Sequence, residues 1–417
     1  MRRERIPLLF SLCALLAAGM GTYLQGEGGA EIEILDPELV TVTDTTFILT
    51  WRTNLPTDAR VRYGTSPRCW EEVVRSAEEA TRYHMVEVGG LSPGVTYFYE
   101  IESGGVTGRP TPLSPGVVQT LVPPPGPLRF RFATMNDMHV GEETAGLILL
   151  PPDIELCPGF SWPDPQTPYW RFMNEAAVAE INEAGVDFVV VKGDITAEAR
   201  REEFVWAKEI LDALTVPYYV LRGNHDRQGE RLDDPFLEVF GLDRSFYTFD
   251  EQDYRMIALD SVEPRSGIGE ISEAQFEWLA EVLDESRQKR VMIFLHHPVA
   301  LQVVTPGMAV RQPDAARLLA LLAPYDNIVG IFSGHTHRNQ IRFAPASTGR
   351  APLAETAATK EYPGGYTLYS VFEGGYMQSF YEVRCPECRE WSETTRQECY
   401  GTLARNKLGT LHERNYV

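Results

Sequence analysis

The chain has 417 residues, 43% of them hydrophobic, and a formal net charge of −21. That length exceeds one typical domain, and that apolar content excludes a disordered chain. The acidic balance speaks against a surface that wraps nucleic acid, which needs clustered Lys and Arg, and against docking on an anionic membrane.

Residues 1–28 have the pattern of a secretory signal peptide. Arg2, Arg3 and Arg5 form a basic start, an uncharged apolar run extends from Ile6 to Gly21, and Ala17, Ala18 and Gly19 supply small residues. The run is shorter than the roughly 20 residues that cross a bilayer, and no later stretch is apolar enough to cross one. The expected location is therefore periplasmic, extracellular or cell-surface, with no transmembrane domain after signal cleavage. An uncleaved anchor is the alternative. Of the six cysteines, Cys13 would leave with the signal, and export permits disulfides among the other five.

Residues 30–122 read as β structure. "TDTTFILTWRTN" alternates around Trp51, "ARVRYGTS" and "YHMVEVGG" follow, and a Pro-Gly turn leads into a strand with Tyr97 and Tyr99 on one face. His84, in a strand, reads as structural. "VPPPGP" at 122–127 interrupts any regular element and marks a boundary. From 128 the pattern alternates. "LRFRFATMND", "VDFVVVKGD", "VPYYVLRGNHD", "RMIALDS", "RVMIFLHHP" and "NIVGIFSGHTH" read as strands. Helices are expected in "PYWRFMNEAAVAEINEAG", ended by Gly185, in "EFVWAKEILDAL", in "SEAQFEWLAEVLDES", started by Ser272 and Gln275, and in "DAARLLALLA". Such alternation predicts layered α/β structure over 128–383. A long proline-rich insertion at 141–169, with Phe160 and Trp162 as anchors, breaks the rhythm as functional loops do. The segment 384–417 is polar and shows no periodicity.

Six of the eight histidines fall at the C-terminal ends of predicted strands: His139, His225, His296, His297, His335 and His337. Asp137, Asp194, Asn224 and Asp226 accompany them. In open α/β sheets that edge is where ligands bind. Carboxylate, imidazole and amide oxygen donors together suit Fe, Mn or Zn. Alternate residues of an extended "DMH" point the same way and can grip one ion, and "HTH" can serve one ion or two neighbouring ones.

The ordered motifs D-x-H, G-D, G-N-H-D, H-x-P and G-H-x-H resemble the signature of the calcineurin-like metallophosphoesterase superfamily over 128–383. The front ninety residues are similar to the fibronectin-type-III-like domain that precedes the catalytic domain of purple acid phosphatases. The resemblance implies an all-β sandwich followed by a four-layer α/β/β/α sandwich. It also implies two divalent or trivalent ions and hydrolysis of phosphate mono- or diesters of a small-molecule or other substrate by a bridging hydroxide. By position, Asp137, His139, Asp194 and His337 resemble the first ion's ligands, and Asp194, Asn224, His296 and His335 the second's. His225 resembles the histidine near the leaving group, with Asp226 expected to orient it. His297 is expected to pack behind the ligands. Arg222 is either a phosphate contact or an exposed turn residue. The purple enzymes carry a tyrosine three residues after the bridging aspartate and D-x-G at the first motif. Here Ala197 and His139 stand at those places, so no tyrosinate–iron colour is expected.

Cys385, Cys388 and Cys399, with His412, are a candidate structural zinc set, and a disulfide among them is the alternative. The rival to an enzyme is a surface-binding protein whose phosphoesterase domain is inactive, but a relic tends to lose ligands and this set is complete. Oligomeric state is not encoded in any of these features.

Overall fold

The computed structural model describes residues 31–417 except 68, 71, 76–79, 147, 151–153, 228–232, 265, 300–307 and 344–350. The expected signal peptide, 1–28, lies outside the described residues. Among the described residues no helix is long and apolar enough to cross a membrane.

The front part is built from β1 (Ile34–Val42), β2 (Phe47–Thr57), β3 (Arg60–Gly64), β4 (Glu72–Arg75), β5 (Thr81–Val88), β6 (Thr96–Ser103), β7 (Val106–Thr107) and β8 (Val117–Gln119). One sheet has the order β1-β2-β5, and the other joins β4-β3-β6-β7 with β8 beside β6. Their alternating inward residues enclose Phe47, Leu49, Trp51, Val61, Val86, Tyr97 and Tyr99.

His84 stacks on the Trp51 indole, with ring centroids 5.2 Å apart, and shares a 2.9 Å hydrogen bond with Thr53 Oγ1. Burial pushes the ring down to about 4. The folded ring therefore holds its proton less readily than the unfolded chain, where histidine titrates near 6.5. Its contribution to stability is complete above pH ~6.5 and is lost as the pH falls towards about 4. That window amounts to about 2 kcal/mol after allowance for solvent screening. His84→Gln should flatten the pH dependence of thermal unfolding across it, and an unchanged slope would contradict this account of His84.

After a stretch without regular structure at 120–127, the second part begins with β9 (Leu128–Met135), a hairpin of β10 (Ile148–Leu150) and β11 (Ile154–Cys157), and α1 (Tyr169–Glu183). Next come β12 (Phe188–Lys192), α2 (Arg201–Leu211), β13 (Tyr218–Leu221), α3 (Pro235–Phe240), β14 (Tyr247–Glu251), β15 (Tyr254–Ala258) and α4 (Glu273–Glu285). The chain continues through β16 (Arg290–Phe294), α5 (Gln312–Leu322), β17 (Ile328–Ser333), β18 (Gln340–Phe343), β19 (Pro352–Glu355), β20 (Gly365–Phe372) and β21 (Gly375–Glu382). It closes with α6 (Pro386–Thr395), α7 (Ala404–Leu408), α8 (Leu411–Arg414) and β22 (Asn415–Tyr416).

Two six-stranded sheets form, β13-β12-β9-β20-β21-β22 and β14-β15-β16-β17-β19-β18. Phe132, Phe188, Phe294, Phe332 and Tyr369 fill the space between them. On the outer face of the first sheet lie α1 and α2, which bury Met173, Val178, Phe204 and Leu211. On the outer face of the second lie α4 and α5, which bury Phe276, Leu279, Leu318 and Leu322. The layers are α/β/β/α, as the resemblance implied. Gly185, at φ 66°, follows the end of α1, and the Ser272 side chain caps α4 by accepting from the Gln275 N–H.

The segment after 383 departs from expectation. In α6, Trp391 is fully buried and stacks on Tyr169 at 4.2 Å, and β22 pairs with β21. Much of the buried face of α6 is polar, with Arg389 placed between Glu382 and Glu393, so hydrophobic periodicity cannot reveal it. The zinc expectation for Cys385, Cys388 and Cys399 is overturned: Cys385 is bonded to Cys388, and Cys399 to Cys157. Sulfurs consumed in disulfides are not thiolates and cannot ligate. Cys69 is free and exposed.

Candidate metal centre

Strands β9, β12 and β13 run parallel in one sheet, and β16 and β17 run parallel in the other. Their C-terminal ends therefore meet along one edge, and all the singled-out polar residues follow those ends. The loops after β9 and β12 are laced by backbone hydrogen bonds, Asp137 N–H to the Gly193 carbonyl and His139 N–H to the Asp194 carbonyl, each 3.0 Å. Asp137, His139, Asp194, His335 and His337 all adopt left-handed backbone, with φ of 52°, 44°, 48°, 68° and 50°. For non-glycine residues that costs about 1–2 kcal/mol each, and such strain clusters where side-chain direction matters more than comfort. Two glycines of the motifs have a steric reason. A Cβ on Gly193 would lie 2.7 Å from His296 Nδ1, and one on Gly223 would lie 2.1 Å from the Asp194 backbone nitrogen.

Asp137, His139 and His337 bring ligand atoms within 4.8 Å of one another, as do Asp137, Asp194 and His296. His337 Nε2 lies 3.2 Å from Asp137 Oδ1, and His139 Nε2 lies 3.6 Å from Asp194 Oδ2. Around His296 Nε2 stand Asp194 Oδ2 at 3.2 Å, Asn224 Oδ1 at 3.1 Å and His335 Nδ1 at 3.2 Å. Asp194, which is 2% exposed, thus stands within 4 Å of both His139 and His296, and Asp137 belongs to both groups. Asp137 Oδ1 and His139 Nε2 are buried without a hydrogen-bond partner among the described residues. Orphaned donors of this chemistry, turned towards one another, fit cations.

Burial would raise the Asp137 and Asp194 carboxyls, but His337 and His296 beside them hold both below the usual range. Burial and Lys360 push His139 down to about 4. Burial and His296 push His335 down to about 3. Both rings therefore offer lone pairs at neutral pH. Burial opposes protonation of His296 and His337 too, but Asp194 lifts the first to about 9, and Asp137 with Glu361 lifts the second to about 10. A cation bound there displaces those protons. His296 Nδ1 donates to the Lys192 carbonyl at 2.8 Å, which fixes the tautomer that presents Nε2.

His225 is half-buried, with its ring centroid 4.6 Å from that of His139. Its Nδ1 donates to the Ala197 carbonyl at 2.7 Å, so Nε2 is the nitrogen available to a substrate. Asp226 does not orient that ring. Its carboxylate accepts from the Ile195, Thr196 and Gly223 backbone N–H groups and from the Thr196 hydroxyl, at 2.8–3.1 Å. It ties the loop after β12 to the loop after β13, and burial and Asp194 push it up to about 6. Arg222 is not exposed: it is buried, paired with Asp234 and Asp260, and lies 5.0 Å above the Phe236 ring. His297 shares a 2.9 Å bond with Ser261 Oγ, and it is also close enough to His296 and His335 to form a third cluster.

The calcineurin-like phosphoesterase family matches residues 130–339, half of the chain. The chain belongs to the calcineurin-like phosphoesterase family. Ahead of this match, residues 36–115 fit the purple acid phosphatase N-terminal domain. The chain is 33% identical over 156 residues to a probable glycerophosphodiester phosphodiesterase of Arcobacter nitrofigilis, an alignment covering 36% of this chain and 57% of that one. It spans little more than half the length of that relative. It is 27% identical over 206 residues to a probable cyclic nucleotide phosphodiesterase of a Synechococcus species, covering 49% of this chain and 79% of the other. Among solved structures, a dimetal phosphatase from Danio rerio aligns with 62% of this chain and 98% of its own, at 18% identity and a TM-score of 0.47.

Four charged residues lie behind the donor sets outside any of the motifs: Glu142, Lys360, Glu361 and Lys407. His337 Nδ1 donates to Glu361 Oε1 at 2.7 Å. The one sequence signal is a Lys-Glu pair set into the otherwise uncharged "TAATKEYPGGY".

Proposed function

We propose that the chain is a metal-dependent phosphoesterase acting on small phosphodiesters, with Asp194 shared between two ions. The observation that carries this reading is the convergence of two donor sets on that one carboxylate, with His225 beside it. Both relatives named above are phosphodiesterases by name, which favours diesters over monoesters.

Asp137, His139, Asp194 and His337 would hold one ion, and Asp194, Asn224, His296 and His335 the other. Bound Fe, Mn or Zn would supply the charge that polarises a phosphoryl group and lowers the pKa of an attacking water. His225 would pass a proton from Nε2 to the leaving oxygen, while its Nδ1–H bond to Ala197 keeps the ring from turning. Asp226 would keep the two loops in register. The overall charge of −21 does not bar an anionic substrate, because bound cations dominate the local field. Export is supported by the basic-then-apolar residues 1–28 and by the two disulfides.

Hydrolysis of bis(p-nitrophenyl) phosphate and of p-nitrophenyl phosphate under Mn(II), Fe(II) and Zn(II) tests the reading. Diester turnover that exceeds monoester turnover and stops on chelation is expected. No diester hydrolysis with any of the three ions would overturn it.

A further inference from the structure

The imidazoles of the two donor sets rest on different groups. His296 backs onto a neutral backbone carbonyl, that of Lys192. His337 backs onto a carboxylate, Glu361, which is itself 2% exposed. His139 Nδ1 faces a second carboxylate, Glu142 Oε1, at 3.5 Å, longer than a hydrogen bond. A single ammonium links these two acids: Lys360 Nζ contacts Glu142 Oε2 and lies 3.2 Å from Glu361 Oε2. A second ammonium, Lys407, donates to Glu361 Oε1 and to Glu398. Lys407 and Glu398 belong to the C-terminal segment, and the residue after Glu398 is Cys399, bonded to Cys157 at the end of β11.

Glu361 has little freedom. Its Oε1 accepts from His337 and Lys407, and its Oε2 lies 3.2 Å from Lys360 Nζ. Both of its oxygens face cations, so it cannot rotate without breaking one contact. Burying this many charges is costly, and apolar side chains of similar volume would pack as well. A carboxylate on the far nitrogen of a ligating histidine fixes the ring's tautomer and aim and raises its basicity.

We propose that Glu361, clamped by Lys360 and Lys407, is a positioning residue that holds His337 towards the ion at Asp137, His139, Asp194 and His337, and that the C-terminal segment acts on that ion through Lys407. The inference rests on the two-ion reading above and would fail with it.

Equilibrium binding of Mn(II) to the ion-stripped full chain, followed by electron paramagnetic resonance, tests it. The unmodified protein should take up two ions and give the broadened spectrum of a coupled pair. Glu361→Gln keeps the side chain's shape but loses its charge. It should retain one ion at unchanged affinity and bind the other about 10–100-fold more weakly, so that an isolated six-line spectrum appears at limiting Mn(II). Lys407→Gln should weaken the same ion less. If Glu361→Gln does not fold by circular dichroism, Lys407→Gln decides. Two ions bound by Glu361→Gln with unchanged affinity, or both weakened alike, would overturn the positioning role. An unaffected Lys407→Gln would overturn the role of the C-terminal segment. Fewer than two ions in the unmodified protein would refute the two-ion reading instead.

Discussion

Asp194→Asn should abolish phosphoester hydrolysis and leave a protein that no longer retains two ions after dialysis. Asp194 is a carboxylate within reach of a histidine from each donor set, 3.2 Å from His296 Nε2 and 3.6 Å from His139 Nε2. An amide there keeps the shape and can still accept the His225 N–H, which bonds Asp194 Oδ1 at 2.9 Å. It removes the anion that would draw two cations together. Metal polarisation of a phosphoryl group is worth several kcal/mol, and each 1.36 kcal/mol is a factor of ten. The loss in kcat should therefore reach ~10³-fold or more. The fold should survive, because the loop contacts made by Asp226 do not involve this side chain. Metal analysis and circular dichroism of the same sample check both halves. Retention of two ions with unchanged turnover would show that the donor sets are misassigned.

His225→Ala should act differently. The ring is held by the Ala197 carbonyl and lies beside His139, but it belongs to neither proposed ligand set. Both ions should stay bound while the rate drops by roughly 10²–10⁴, the usual contribution of a positioned acid or base. Nitrophenolate leaves with little help, so its esters should suffer less than alkyl or sugar esters. Leaving-group series for the two proteins measure this. Equal losses across the series would remove the general-acid role, and loss of one ion would make His225 a ligand.

The parts of this molecule legible in its sequence are those whose constraints are local. The β12 strand reads from an unbroken apolar run, "FVVV", because both its faces are covered. The site reads from histidines and aspartates that each follow such a strand, and the glycines of "KGD" and "GNHD" stand where a Cβ would strike a neighbouring ligand loop. What escaped depends on contacts distant in the chain. Glu361 meets Lys407 across 46 residues, and Glu142 meets Lys360 across 218. Helix α6 escaped because charge pairs rather than apolar residues fill much of its buried face. Arg222 directly follows β13, and it is buried because Asp234 and Asp260 come to it from later segments. Asp226 neighbours His225 in sequence, but its carboxylate turns back to the loop after β12, a contact that adjacency does not reveal.

Phosphodiester hydrolysis should require two ions that share Asp194. Titrating ion-stripped protein with Mn(II) while following bis(p-nitrophenyl) phosphate turnover tests it most directly. Activity should be absent without metal, rise with added ion and level off only when two equivalents are bound. Full activity with one equivalent or with none, or no activity at any loading, would contradict it.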